Sequence, residues 1–297
     1  MTVKFATTPT LEIAYEVAGP ENGMPLCLMH GFPYAPQTYA ASVPVLAAKG
    51  YRVIVPYLRG YGPTRFRSPK TIRSGEQAAL GRDLVDLLDA LKIDRAMAAG
   101  YDWGGRSACV AAALYPARIS GLLTIGGYNI QNIPASVKPA PPSFEHVLWY
   151  QYYLHGARGV AGLTADRRAF ARYLWRQWSP VWNFDDATFE ASAVAFDNPD
   201  FVDVVVHSYR HRFGLVAGDP ALDADEARLA AQPSITAPTL IISPESGVAP
   251  PGMASFNSEK FTALLGVEDW PGIGHNAPQE APEKLVAALD RLRASIK

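Results

Sequence analysis

Short apolar runs of strand length alternate along this chain with segments of helical period, and that alternation restricts it to a mainly parallel sheet with helices on both faces. The runs are LEIAYEVAG, PLCLMHG, YRVIVPYLRG, RAMAAGY, GLLTIGGYN, PTLIIS and VEDWPGIG, and the N-terminal stretch before them alternates as a strand pair. Between YRVIVPYLRG and RAMAAGY, Leu84, Leu87, Leu88 and Leu91 recur at i, i+3, i+4 and i+7, with Asp83, Asp86 and Asp89 between them. That spacing predicts an amphipathic helix with a single buried stripe. With 297 residues, 48% of them apolar, the chain has material for a sizeable core.

The rhythm breaks after GLLTIGGYN. The proline-rich NIPASVKPAPPSF cannot continue as strand or helix interior. The next stretch is aromatic and helical in period, and strand pattern returns only at Thr239. The expected organisation is an α/β core over 1–131 and 236–297, with a helical lid over 132–235 inserted after the sixth strand of an eight-stranded sheet. A lid so placed covers the strand ends, where ligands bind in such sheets.

Composition narrows the partners. Net charge is −1, from 27 basic and 28 acidic residues, so no nucleic acid or anionic membrane surface is expected. The apolar runs fall short of the roughly 18 residues of a membrane span, and the N-terminus lacks the apolar core of a signal peptide. Cys27 and Cys109 sit in apolar runs and read as small buried hydrophobes, which leaves a cytoplasmic protein as the expectation. Neither metal-ligand spacing nor a phosphate loop is present, and no cofactor is expected.

The chemistry gathers around AAGYDWGGR, Ala98 to Arg106, where a strand turns sharply into a helix. Gly100, Gly104 and Gly105 permit such a turn, and its exposed tip, which carries a serine in many hydrolases, is Asp102. A helix N-cap would account for the aspartate but not for the glycines around it. Two further pieces keep the chain order of a nucleophile-and-base site. The loop MHGFP places the backbone N–H of Phe32 beside the elbow, and Trp103 offers a second N–H, so the two form a candidate oxyanion hole; His30 in that loop reads as a structural hydrogen-bonder. The segment WPGIGHNAPQEAP places His275 after the last strand as the candidate base. A carboxylate attacks acyl carbonyls poorly but attacks sp³ carbon bearing a leaving group well, giving an alkyl-enzyme ester that histidine-activated water hydrolyses. Epoxides and alkyl halides are therefore the favoured substrates over ordinary esters.

HGFP, RGYGPT, GYDWGG and GIGHNAPQEAP together resemble the epoxide hydrolase and dehalogenase branch of the α/β-hydrolase superfamily, over essentially the whole chain. The resemblance implies the α/β-hydrolase fold and two lid tyrosines that hold and protonate the epoxide oxygen. WYQYYL and HSYRHRF resemble the segments that carry them and put the pair at Tyr150 and Tyr209, with Tyr152 and Tyr153 left to packing. A phenol, with its pKa near 10, is an acid able to donate to a developing alkoxide. The resemblance also implies an acid that orients the histidine, placed after the strand preceding the histidine strand. In TLIISPESGVAPP the acid is Glu245, in a loop one residue shorter than the pattern; after the sixth strand, GGYNIQ offers Asn129 in its place.

Phe32, Trp103 and Trp149 are expected to line an apolar pocket, so the expected partners are a small hydrophobic epoxide and water, acting on a monomer or homodimer. The alternatives are a haloalkane or haloacid dehalogenase using the same aspartate, and a lid-covered ligand-binding protein with weak turnover. Three departures favour the epoxide. Phe32 stands where haloalkane enzymes carry a polar side chain, and Tyr150-Gln151 and Trp103 stand where fluoroacetate-type enzymes carry a His-Trp pair and a charged residue.

Overall fold

The computed structural model describes residues 2–245 and 252–296. Nine strands among them form one sheet: β1 (Val3–Thr7), β2 (Leu11–Ala18), β3 (Met24–Met29), β4 (Tyr51–Pro56), β5 (Arg65–Phe66), β6 (Ala96–Tyr101), β7 (Ile119–Ile125), β8 (Thr239–Pro244) and β9 (Leu264–Trp270). Eight of them run in the order β1-β2-β4-β3-β6-β7-β8-β9. The ninth, β5, pairs only with β2 and is two residues long, too short to leave a periodic signal. From β4 through β9 every pairing along that order is parallel, and the antiparallel β1 and β2 close one edge. Every residue of β6 and of β7 is buried, as central strands covered on both faces must be. Cys27 and Cys109 are free and buried, and burial pushes the Cys27 thiol up to about 12.

The helix over Gln77–Ala90 departs from the single buried stripe. Eleven of its fourteen residues are buried, Asp83 and Asp86 among them. Asp83 accepts two 2.7 Å hydrogen bonds from the buried Arg59 guanidinium, and Asp86 accepts one of 2.7 Å from Arg82. The helix packs against the helix Asp102–Leu114 on one side, while the Arg59 loop covers the aspartate side. Paired in this way, the carboxylates tolerate burial that unpaired ones would not.

Between β7 and β8 the described chain is helical, the longer pieces being Arg167–Trp178 and Phe201–His211. This insertion sits on the loops that follow β3 and β4. Trp175 Nε1 donates to the Pro33 carbonyl at 2.8 Å, Asn198 Nδ2 to the Thr64 carbonyl at 2.7 Å, and Arg73 pairs with Asp200 at 2.9 Å. Those loops leave the C-terminal ends of the strands, so the helices stand over the edge of the sheet where β6 delivers Asp102. Among the described residues no helix is long and apolar enough to cross a membrane.

Candidate active site

Asp102 joins β6 to the helix Asp102–Leu114 with a φ of 51°, in the left-handed region that a non-glycine residue enters only under constraint. The turn closes tightly enough that a Cβ on Gly100 would lie 2.4 Å from the Gly104 carbonyl, and one on Gly104 would lie 2.0 Å from the Met29 carbonyl oxygen. Both positions therefore require glycine. The two carboxylate oxygens face different partners. Oδ1 accepts the backbone N–H of Phe32 at 2.7 Å and that of Trp103 at 2.6 Å, and Oδ2 lies 3.8 Å from His275 Nε2. His30 Nδ1 donates to the Gly31 carbonyl while Nε2 accepts from Leu58 N–H, which ties the loop after β3 to the end of β4; burial lowers its pKa to about 4.

His275 lies beyond β9 in a loop held from below. Its own N–H donates to Ser179 Oγ at 3.0 Å, and the flanking Gly274 and Asn276 N–H groups donate to the Glu280 carboxylate at 2.7 and 3.1 Å. Ser179 Oγ donates to the same carboxylate at 2.6 Å, so the insertion and the core clamp the histidine between them. The imidazole packs among Trp178, Tyr34 and Tyr101. Burial lowers its pKa below the ordinary histidine value against the opposing pull of Asp102, so the ring is neutral at neutral pH.

Glu245 does not reach this histidine. The residue is exposed, its Oε2 accepts the Gly272 N–H at 2.9 Å, and no ion pair joins it to His275. Its backbone N–H still pairs with the Trp270 carbonyl, which keeps it in register with the end of β9 and turns its side chain outward. Asn129 is not an orienting group either: its Nδ2 donates within its own turn, to Thr124 Oγ1 at 2.9 Å and the Gly127 carbonyl at 3.2 Å, and its Oδ1 accepts nothing from His275 Nδ1. Among the described residues His275 Nδ1 has no hydrogen-bond partner. Ser246 and the rest of that loop through residue 251 lie outside the described residues.

The helices Trp149–His155 and Phe201–His211 bring Tyr150 and Tyr209 together with ring centroids 5.3 Å apart. Tyr150 Oη accepts from Gln151 Nε2 at 2.9 Å; Tyr209 Oη is buried and has no partner among the described residues. Burial raises both phenol pKa values, so both are proton donors at neutral pH. Tyr153 stacks on Phe170 inside the insertion, whereas Tyr152 is exposed and bonds Glu145 rather than packing in the core.

A cavity of about 290 Å³ opens over the elbow, and Asp102, His275, Tyr150, Arg106, Arg212 and Gln151 all line it. Phe32, Trp103 and Trp149, expected to line it, do not. The Phe32 and Trp103 rings are fully buried and stack on each other beneath the site, with centroids 5.6 Å apart, so only their backbone amides face Asp102. Trp149 turns into the insertion, where its Nε1 donates to Gln177 Oε1 at 2.9 Å. The arginines and Glu280 escaped the sequence reading. Arg106 at i+4 from Asp102 and Glu280 five residues beyond His275 stand at regular spacings, whereas nothing separates Arg212 from any surface arginine of an amphipathic helix.

Residues 24–278 match the model of the alpha/beta hydrolase fold family. The chain belongs to that family. Among its relatives in the α/β-hydrolase family, a protein of Klebsiella pneumoniae described as a candidate epoxide hydrolase is 45% identical, with 98% of this chain and 97% of that one superposing at a TM-score of 0.95. Epoxide hydrolase B of Mycobacterium tuberculosis is 32% identical over 153 residues, 47% of this chain and 42% of that enzyme. Bifunctional epoxide hydrolase 2 of Sus scrofa is 30% identical over 134 residues, 44% of this chain and 24% of that enzyme. Each of these two sequence matches thus spans less than half of the relative's own length.

Proposed function

We propose that this hydrolase opens an epoxide with water to a vicinal diol through an ester on Asp102, with the helical insertion acting as a lid. The observation that carries this reading is the division of the Asp102 carboxylate, one oxygen held by two backbone N–H groups and the other directed to His275. The named epoxide hydrolases among the relatives support the substrate class.

Asp102 Oδ2 attacks an oxirane carbon, and the C–O bond breaks. The released alkoxide takes a proton from Tyr150, with Tyr209 as the second donor. His275, neutral, then takes a proton from water as that water adds to the ester carbonyl carbon. The oxyanion forms on Oδ1, already inside the cradle of the Phe32 and Trp103 amides. Collapse breaks the bond from the carbonyl carbon to the diol oxygen, that oxygen takes the remaining proton of the added water so that Asp102 is again a carboxylate, and the proton held by His275 restores the phenol. The water oxygen stays in the aspartate.

That last point supplies the test. Single-turnover hydrolysis of styrene oxide in ¹⁸O-water should give unlabelled diol and label in the Asp102 peptide. Label in the first-turnover diol would mean direct water attack and would refute the ester. Halide release from haloacids outpacing diol formation from epoxides would move the reaction to the dehalogenase side.

A further inference from the structure

The charges around the cavity do not balance. Asp102 is the one acidic residue in its lining among the described residues, and two guanidiniums, Arg106 and Arg212, share the same cavity. Arg106 is 7% exposed, and among the described residues its side chain makes a 3.4 Å contact from Nε to the Asn129 carbonyl. Arg212 donates from Nη1 to Gln151 Oε1 at 3.0 Å and lies 4.9 Å over the Tyr209 ring, but its Nε and Nη2 are buried with no partner among the described residues. Neither arginine forms an ion pair with any of the carboxylates that pair elsewhere in the fold. Burial and the neighbouring Arg212 push the Arg106 guanidinium down to about 9, as expected of a cation whose desolvation is not offset.

The imbalance persists through the reaction proposed above. Once Asp102 is esterified it carries no charge, but the proton given to the alkoxide leaves a phenolate on Tyr150, so the cavity still holds two cations against one anion. A monoanionic substrate cancels the net positive charge of the resting site and of the ester stage alike. A carboxylate suits these donors best, because a planar pair of oxygens accepts from the edge of a guanidinium in two parallel hydrogen bonds.

We propose that Arg106 and Arg212 form a carboxylate subsite, and that the substrate is a compact epoxide bearing a carboxylate. The inference rests on the epoxide-opening reading for its reactive group and replaces the hydrophobic epoxide expected from the sequence. At about 290 Å³ the cavity stands at the small end of ligand pockets, which start at about 300 Å³, and it fits a short-chain or aryl glycidic acid. Gln151 ties the subsite to the chemistry: its Oε1 accepts from Arg212 and its Nε2 donates to the Tyr150 hydroxyl. An anion that orders Arg212 therefore also orders the proposed leaving-group acid.

The test compares 3-phenylglycidate with 3-phenylglycidamide, which keeps the shape and loses the charge, using the full-length protein. The acid should be preferred in kcat/KM by about 30-fold or more, and Arg106→Met and Arg212→Met should each cut that preference by about tenfold, the worth of a charged hydrogen bond. Equal use of acid and amide, or a preference that survives both substitutions, overturns the subsite. Should either variant fail to fold, inhibition of the unmodified enzyme decides: 3-phenylpropanoate should compete with styrene oxide and its amide should not, and equal inhibition overturns the subsite. The epoxide reading fails separately, if none of these epoxides is turned over or esterifies Asp102. Calorimetric binding of 3-phenylpropanoate but not its amide would then still support the subsite, and binding of both or neither would overturn it.

Discussion

Tyr209→Phe separates a working hydroxyl from a packing one, because the two roles move stability and activity in opposite directions. The ring of Tyr209 fills a closed aromatic layer against Phe32, Trp103 and Tyr150, and phenylalanine preserves all of that surface. Its Oη, however, is buried and has no partner among the described residues. Leaving such a group unsatisfied costs about 1–3 kcal/mol, so deleting it should raise stability by up to about 2 kcal/mol. For a chain of 297 residues that corresponds to an increase of up to about 3 °C in Tm by scanning calorimetry. Activity should move the other way. An oriented donor lost from a developing oxyanion costs about 3 kcal/mol, on the order of 10²-fold in the rate of epoxide opening, read as single-turnover formation of the Asp102 ester by intact-protein mass. Tyr150→Phe should slow the same step but lower stability by about 1 kcal/mol, because it strands the Gln151 donor. A Tyr209→Phe protein that is more stable and equally fast would show that the hydroxyl takes no part in catalysis, and the two-donor scheme would be refuted.

The histidine's surroundings give three further expected outcomes. Glu245→Gln should leave steady-state turnover within about twofold, since Glu245 is exposed and among the described residues its side chain bonds Gly272 alone; a loss on the order of 10²-fold, the usual result of neutralising a triad acid, would restore it to that role. Glu280→Gln removes a charged acceptor shared by Gly274 N–H, Asn276 N–H and Ser179, so the ester of Asp102 should accumulate while its formation rate stays close to normal. A uniform slowing of both steps would mean that Glu280 supports the fold alone. The pH profile of ester hydrolysis should have its acid limb below the ordinary imidazole value of about 6.5, because burial disfavours the imidazolium and the base works only when neutral; a limb above that value would refute the assignment of His275.

Much of the candidate site was legible because its parts are local. The elbow at Asp102 is written in five consecutive residues with glycines where a Cβ would collide, and His275 comes after a strand that announces itself by its apolar pattern. Other readings failed where one element's sequence is ambiguous about what lies beside it. Asp83 and Asp86 look like a solvated helix face, yet the loop after β4 brings Arg59 onto Asp83, and Asp86 is buried beside Arg82 of its own helix. Phe32 and Trp103 look like pocket walls, yet their rings stack beneath Asp102 and only their amides face it.

By itself the sequence determined the order of strands and helices, the position of the insertion and the identity of the proposed nucleophile and base, because hydrophobic period and turn chemistry act over a few residues. The tertiary structure alone decided which charges share the cavity. Arg106 comes from the elbow helix and Arg212 from the far end of the insertion, more than a hundred residues later, while Glu245, close to the histidine in the folding pattern, is turned away by its register with β9. Electrostatic balance in a buried site is a sum over groups that only folding brings within reach of one another, and no period along the chain carries that sum.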